Sequence, residues 1–168
     1  GVDEYKSSEK LPLVYILDDI RSLQNVGTFF RTGDAFRVAK IYLCGITGKP
    51  PNRDIHKTAL GSTDSVNWEY KSNCLQLVSD LQSSGFHIAS VEQTLNSTFL
   101  EKHEFSTGKP YAIVFGNEVF GVKQEIIDIS DSVIEIPQFG TKHSLNISVS
   151  CGIVIWDFFV KMKINSQK

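Results

Sequence analysis

Six short runs of apolar, β-branched and aromatic residues recur along this 168-residue chain, and they constrain its fold more than any other feature. Most of these runs do not alternate apolar and polar residues, as is typical of strands buried on both faces of a parallel sheet. Helix-like segments lie between them, and this order predicts an α/β fold with a mostly parallel, six-stranded sheet flanked by helices. The predicted strands are Leu13–Leu17, Lys40–Leu43, Val66–Tyr70, Phe86–Val91, Tyr111–Phe115 and Ser132–Ile136.

The spacing of apolar residues predicts several helices between and after these strands. Asn73–Ser83 places its leucine and valine side chains on one face, and Gly85 follows as a stop signal. Val122–Ile129 is a shorter helix candidate. Ser144–Lys163 is the longest, and its apolar majority predicts burial on several sides. Asn96–Lys109 is polar, and we expect it to be irregular.

The length fits a single domain, and no internal repeat or low-complexity linker divides the chain, so residues 1–168 are predicted to form one domain. Hydrophobic residues make up 41% and charged residues 21%, which excludes intrinsic disorder. Residues 1–10 are polar and begin with Gly rather than Met, so we expect them to be disordered or to be a remnant of cloning.

The charge of the chain is nearly balanced but unevenly distributed. A formal net charge of -2 excludes a protein that coats nucleic acid by bulk charge. Residues 11–60 nevertheless hold seven basic residues against four acidic ones. This excess predicts a local patch that can position phosphate groups, with scattered solvated charge as the alternative. The basic residues are Arg21, Arg31, Arg37, Lys40, Lys49, Arg53 and Lys57.

Cysteine usage and hydropathy bear on the compartment of the protein. Cys44, Cys74 and Cys151 are far apart in sequence, form no C-x-x-C pair and cannot build a zinc site, so we expect a reduced compartment. The longest apolar run, Cys151–Val160, is interrupted by Asp157 and is too short to span a bilayer. The sequence therefore predicts a cytoplasmic protein that holds no metal.

Several common catalytic motifs are absent. Gly116 and Gly121 have the glycine spacing of a phosphate-binding loop, but Val122 separates them from Lys123 and the required ending is missing. The chain contains neither G-x-G-x-x-G nor G-x-S-x-G, and its four histidines show no H-x-x-x-H spacing. Nucleotide hydrolysis, nicotinamide chemistry and serine hydrolase chemistry are thus disfavoured.

Three polar segments each follow a predicted strand, at the edge of a parallel sheet where ligands bind. In the first, Asn25 is expected to cap a helix that contains Arg31 in its opening two turns. The second places Glu118 between two glycines, which allow a ligand to approach the backbone closely. In the third, Ser144 and Asn146 are candidates for ligand contacts or for helix caps. The segments are Asn25–Thr32, Phe115–Gly121 and Ile136–Ser148.

In their order and in their residues, these segments resemble the motifs of the SpoU (TrmH-like) branch of the SPOUT RNA methyltransferase superfamily. They read NVGTFFRT, IVFGNEVFGV and IPQFGTKHSLNISVS, and the resemblance extends from about Leu11 to Lys161. Val91–Thr94 is similar to the family's strand end before its cofactor pocket. The resemblance implies a SPOUT (α/β-knot) fold with a C-terminal trefoil knot, S-adenosyl-L-methionine as the cofactor, and ribose 2′-O-methylation of RNA.

The resemblance also implies roles for individual residues. The catalytic residues would be Arg31, Asn25, Ser144, Asn146 and Glu118. The cofactor would be bound, mainly by backbone groups, at Thr94, Gly116, Asn117, Glu118, Ile136, Ser144, Leu145 and Asn146.

The resemblance implies that Arg31 acts as the catalytic base, which raises a chemical question. An arginine guanidinium has an ordinary pKa of about 12.5, so deprotonating one at pH 7 costs about 7 kcal/mol. Two versions follow: a neighbouring RNA phosphate relays the proton of the 2′-hydroxyl, or Arg31 stays charged and orients the hydroxyl and the phosphate. The sequence leaves both open.

The resemblance implies an RNA partner, tRNA or rRNA, and a homodimer with the active site near the subunit interface. Two other functions remain open from the sequence. The chain is alternatively a noncatalytic RNA-binding relative, or a SPOUT enzyme that methylates a base rather than a ribose.

Overall fold

The computed structural model describes residues 1–166, with side chains up to residue 163. Within these residues, seven strands form one sheet in the order β3-β2-β1-β6-β4-β7-β5, and every neighbouring pair is parallel. The strands are β1 (Leu11–Asp18), β2 (Val38–Cys44), β3 (Trp68–Lys71), β4 (His87–Val91), β5 (Thr98–Phe99), β6 (Tyr111–Phe115) and β7 (Ser132–Glu135). The helices are α1 (Val2–Ser7), α2 (Leu23–Ala35), α3 (Arg53–Ala59), α4 (Ser62–Ser65), α5 (Cys74–Ser83), α6 (Gln124–Ile129) and α7 (Ile147–Ser166), with a 3₁₀ turn at Leu100–Lys102.

The predicted α/β architecture is confirmed, and each of the six predicted strands is present. The sheet differs from the prediction by one strand, β5, which lies in a segment expected to be irregular. β5 has only two residues, both exposed, so no apolar run marks it in the sequence; it is a strand because Thr98 and Phe99 pair with β7.

α6 begins at Gln124, two residues later than predicted. Two further helices, α2 and α7, also begin at positions other than those predicted. α2 is capped by the Ser22 hydroxyl, which accepts the N–H of Asn25 at 3.1 Å, so Asn25 lies in the first turn and is not the cap. α7 begins at Ile147 rather than Ser144, because the side-chain oxygen of Asn146 accepts the N–H of Ser148 at 2.9 Å. A polar cap thus fixes the start of both α2 and α7.

The sheet is buried on both faces, as the continuous apolar runs predict. On β1, Leu13, Tyr15 and Leu17 face one helical layer, whereas Val14 and Ile16 face the other. The first layer consists mainly of α2 and α7, and the second of α5 and α6. The three cysteines are free and buried.

The longest helix, α7, is less enclosed than its composition predicts. Val154, Ile155 and Phe158 are buried against the sheet, but Ile153 and Trp156 on another face are 38% and 56% exposed. No helix in the described part of the chain has the length and apolar character needed to cross a membrane.

The amino-terminal residues expected to be disordered or a cloning remnant include the short helix α1. Its Tyr5 packs against the core cluster that contains α2. Residues 167 and 168 of the predicted domain lie outside the described residues.

Two histidines share one hydroxyl beside β4. The Nε2 atoms of His87 and His103 lie 2.8 and 2.9 Å from Ser132 Oγ, and the ring centroids are 6.1 Å apart. Burial, with smaller contributions from His87 and Lys161, lowers the pKa of His103 to about 4. Burial also lowers the pKa of His87. Both imidazoles therefore fold in their neutral form.

Acidification is expected to destabilise the protein through this pair. Between pH about 6.5 and pH about 4 an unfolded chain binds a proton on His103 that the folded chain does not, so the free energy of unfolding falls as the pH falls. The expected contribution of His103 is on the order of 1–3 kcal/mol. Urea denaturation at pH 7 and pH 4.5 measures it, and His103→Gln should show a smaller pH dependence. His56→Gln, an exposed histidine on α3, is the matched control; equal pH dependence in both variants would contradict the role of His103.

Candidate active site

A cavity of about 400 Å³ opens at the carboxyl ends of β4, β6 and β7, which are neighbours in the sheet. Its volume lies within the range of about 300–1,000 Å³ typical of small-molecule sites. The lining residues are 91–93, 115–121, 134–136, 138, 143–147 and 150. The second and third polar segments of the sequence therefore meet in one place.

The second segment folds into a tight turn between β6 and α6. The N–H groups of Asn117 and Gly121 each donate to the carbonyl of the other, at 3.1 and 2.8 Å, and Gly121 has a φ of +72°. A Cβ atom on Gly116 would lie 2.3 Å from backbone atoms of Gly121 and Val122. Both glycines are thus required by the turn itself: one by a left-handed backbone, the other by a close backbone crossing.

Glu118 joins this turn to the first polar segment. Its carboxylate accepts hydrogen bonds from the N–H groups of Arg21 at 2.7 Å and Ser22 at 2.8 Å, and from the side-chain amide of Asn25 at 3.2 Å. Partial burial raises the pKa of Glu118, but these backbone and side-chain donors outweigh it, and the pKa is lowered overall. A carboxylate at the start of α2 also interacts favourably with the helix dipole.

Asn117 and Lys123, at the start of the turn and just after it, both contact the carboxyl end of β1. The Asn117 side chain donates to the carbonyl of Asp19 at 2.8 Å, and its oxygen accepts the N–H of Val119 at 2.9 Å. Lys123 Nζ lies 3.6 Å from a carboxylate oxygen of the buried Asp18 and 3.2 Å from one of Asp19. The side chain and the backbone polar groups of Asn117 are therefore all engaged within the protein.

The third segment closes the opposite side of the cavity as an exposed loop. Ser144, Leu145 and Asn146 are exposed and line the cavity, while Ile136 is half-buried at its floor. The side-chain oxygen of Asn146 is engaged by the N–H and hydroxyl of Ser148. Asn146 is thus both a helix cap and a cavity residue, so the two roles predicted for it, helix capping and ligand contact, are compatible.

The cavity contains most, but not all, of the residues singled out from the sequence. Gly116, Asn117, Glu118, Ile136, Ser144, Leu145 and Asn146 line it. Thr94, Asn25 and Arg31 do not. Asn25 is linked to the cavity through Glu118, whereas the Thr94 carbonyl accepts a hydrogen bond from Ser97. Arg31 is exposed on α2 and makes no hydrogen bond or ion pair among the residues that the structure describes.

Sequence reasoning did not assign several polar residues of the cavity wall to the site, and three of them lie at the ends of strands. Glu92, Gln93 and Glu135 all line it. Glu92 and Gln93 directly follow β4, between Val91 and Thr94, in a segment that was linked to the cofactor pocket although only Thr94 was singled out. Glu135 ends β7. Their position at the carboxyl ends of strands is the signal that was available for all three.

The fold and cavity together define an α/β protein with a cofactor-sized site at the carboxyl edge of a parallel sheet. The profile of the SpoU rRNA Methylase family matches residues 12–156. The chain belongs to this family, and the resemblance to the SpoU branch of the SPOUT methyltransferases is confirmed.

Individual relatives agree with this membership. The chain is 31% identical over 145 residues to a tRNA (guanosine(18)-2′-O)-methyltransferase of Aquifex aeolicus, covering 86% of this chain and 67% of the relative. It is 29% identical over 157 residues to the 23S rRNA (guanosine-2′-O-)-methyltransferase RlmB of Vibrio parahaemolyticus, covering 93% of this chain and 62% of the relative. The chain thus spans about two thirds of the length of these curated relatives.

Solved structures show the same fold. The A. aeolicus TrmH/SpoU tRNA modifying enzyme superposes with a TM-score of 0.85 at 28% identity, covering 96% of this chain and 80% of that one. The SpoU methyltransferase AviRb from Streptomyces viridochromogenes, in complex with the cofactor AdoMet, superposes with a TM-score of 0.81 at 17% identity, covering 98% of this chain and 65% of that one.

Proposed function

We propose that this protein is an S-adenosyl-L-methionine-dependent RNA 2′-O-methyltransferase that acts on tRNA or rRNA. One observation carries the proposal: the three polar segments converge, two of them lining a single cavity and the first joined to it through the hydrogen bonds of Glu118. The relatives named above are tRNA and rRNA ribose methyltransferases, which supports the same reaction.

The cavity fits S-adenosyl-L-methionine in size and chemistry. Apolar side chains such as Ile136 and Leu145 offer a surface for an adenine ring. Carboxylates in the wall suit a ligand with a sulfonium and an ammonium group. When bound, the cofactor supplies an electrophilic methyl group.

The chain's own residues orient the acceptor. Methyl transfer requires in-line approach of the ribose oxygen, so it is largely a matter of positioning. Arg31 would hold the 2′-hydroxyl and an adjacent phosphate, Ser144 and Asn146 would bind groups near the reacting oxygen, and Asn25 would hold the substrate beside Glu118. Because arginine normally carries a fixed charge in proteins, we infer that Arg31 acts as a positioning cation.

We propose that the protein forms a homodimer with its active site near the subunit interface. Arg31 lies outside the cavity of its own chain, and in the proposed dimer the Arg31 of one protomer would complete the cavity of the other. α7 offers a surface for this contact. Val149, Ile153 and Trp156 are spaced four and three residues apart, lie on one face, and are 51%, 38% and 56% exposed.

Ile153→Glu is expected to convert the dimer to a monomer and to abolish methyl transfer. A carboxylate in an apolar interface loses its water without gaining a partner. Analytical ultracentrifugation measures the oligomeric state, and thermal unfolding checks that the variant folds. Ser79→Glu, on the exposed face of α5, is the control. A dimeric and active Ile153→Glu variant would contradict this interface.

We further propose that the chain acts as a single methyltransferase domain in the cytoplasm, where its RNA substrates are found. The trefoil knot stays a prediction from the family resemblance.

The proposed reaction is tested with purified protein, S-adenosyl-L-methionine carrying a tritiated methyl group, and RNA. The RNA should come from a strain that lacks the gene, because its target sites are unmethylated. Nucleoside mass spectrometry should then find the methyl group on a ribose. A methylated base would indicate a base-methylating SPOUT enzyme, and RNA binding without transfer would indicate a noncatalytic relative.

A further inference from the structure

We propose that Glu92 and Gln93, the two residues after β4, are positioning residues that set the shape of the cofactor cavity. Each side chain reaches a different wall: Glu92 holds the end of the turn at residues 117–121, and Gln93 holds the loop at residues 137–145. The inference rests on the proposed use of this cavity for S-adenosyl-L-methionine.

Glu92 fits into the turn of the second polar segment. Its Oε1 accepts the N–H of Val122 at 3.1 Å, and its Oε2 accepts the N–H of Gln93 at 2.9 Å. A Cβ atom on Gly121 would lie 1.9 Å from the same Oε1. The carboxylate therefore occupies the space that a glycine leaves open, and it fixes the point where the turn leads into α6.

Gln93 reaches across the cavity to the third polar segment. Its side-chain amide donates to the carbonyl of His143 at 3.0 Å. Among the residues that the structure describes, the only other hydrogen bond from residues 137–145 to the rest of the protein is a 3.5 Å contact from the Gln138 side chain to the nearby carbonyl of Ile136. The neighbouring Ser144 and Leu145 line the cavity, so this hydrogen bond helps to fix the position of the wall that they form.

The two contacts require opposite hydrogen-bonding roles of the side chain. Gln93 must donate to the carbonyl of His143. Gln93→Glu keeps the size of the side chain but replaces the donor with an acceptor, so it removes this hydrogen bond. Glu92 accepts from the N–H groups of Val122 and Gln93, so Glu92→Gln can keep the bond from Val122 through its carbonyl oxygen and loses only the bond from Gln93, whereas Glu92→Ala loses both. This contrast separates the geometry of the contact from the charge of the residue.

Trypsin tests the Gln93 tether without any cofactor. Lys142 lies exposed in the loop that Gln93 holds. Limited proteolysis should cleave after Lys142 about fivefold faster in Gln93→Glu and Gln93→Ala than in the unaltered protein, because loss of one hydrogen bond releases the loop. Gln76→Ala, an exposed glutamine on α5, is the matched control. Equal cleavage rates at Lys142 in all proteins would overturn the tether.

Calorimetry and kinetics test the effect on the cofactor. Gln93→Glu and Glu92→Ala should weaken S-adenosyl-L-methionine binding by about five- to tenfold, and Glu92→Gln should restore most of the affinity. The KM for S-adenosyl-L-methionine should rise by a larger factor than the one by which kcat at saturating cofactor falls. Unchanged affinity in both weakening variants, or a Glu92→Gln variant as weak as Glu92→Ala, would overturn the inference. Failure of the unaltered protein to bind the cofactor would instead contradict the proposed function, and the proteolysis result would still decide the tether.

Discussion

Arg31→Ala is expected to abolish methyl transfer while leaving S-adenosyl-L-methionine binding intact. Arg31 is exposed and lies outside the cavity, so its removal disturbs neither the fold nor the cofactor site. If it positions the hydroxyl and phosphate of the acceptor, the rate should fall by at least about 10³-fold. Single-turnover methylation with saturating RNA measures the rate, and calorimetry measures cofactor affinity.

Two further variants sharpen this prediction. Arg31→Lys keeps the charge but loses the planar fork that binds phosphate and hydroxyl together, so we expect it to recover only a small part of the activity. Lys109→Ala removes an exposed cation at the opposite edge of the sheet and should leave the rate unchanged. Normal turnover in Arg31→Ala would remove Arg31 from the mechanism.

Gly116→Ala is expected to eliminate cofactor binding and to destabilise the protein. The new methyl group would lie 2.3 Å from the backbone carbon and oxygen of Gly121 and from the nitrogen of Val122. Backbone atoms of a hydrogen-bonded turn cannot move aside as a flexible side chain can, so the whole turn must shift. The expected loss in free energy of unfolding is about 2–4 kcal/mol. Urea denaturation and calorimetry with S-adenosyl-L-methionine measure the two effects.

Gly108→Ala provides the comparison for Gly116→Ala. Gly108 lies in an exposed loop before β6, and the nearest heavy atom to its added Cβ would be 3.9 Å away. This variant should retain the stability and cofactor affinity of the unaltered protein. If Gly116→Ala also retains both, the close backbone crossing is not a requirement of the site.

The sheet was largely predictable from the sequence because its strands are buried on both faces. Runs such as Tyr111–Phe115, all five residues of which are buried, are recognisable without any tertiary information. β5 was not predictable, since Thr98 and Phe99 are exposed and only pairing with β7 makes them a strand. The start of α2 was misplaced because Ser22 and Asn25 are both good caps, and the contact with Glu118 engages the side chain of Asn25.

The site was only partly predictable for a different physical reason. Residues at strand ends, such as Gly116 and Ile136, were identified because a parallel sheet collects its ligands there. Glu92 and Gln93 form hydrogen bonds with Val122 and His143, which lie 30 and 50 positions away in the sequence. Local sequence patterns cannot predict contacts between such distant residues. The separation of Arg31 from its own cavity likewise arises from tertiary structure alone.

The carboxylate of Glu118 couples the start of α2 mechanically to the cofactor cavity. Its three donors belong to the start of α2, while its backbone belongs to the cavity turn. A ligand that shifts the turn must therefore either carry α2 with it or break these hydrogen bonds. Because such coupling is reciprocal, any effect of cofactor on RNA affinity must equal the effect of RNA on cofactor affinity. The hydrogen bonds of Glu118 thus provide one route of coupling between the two ligands, and the order in which they bind does not change the total free energy of binding.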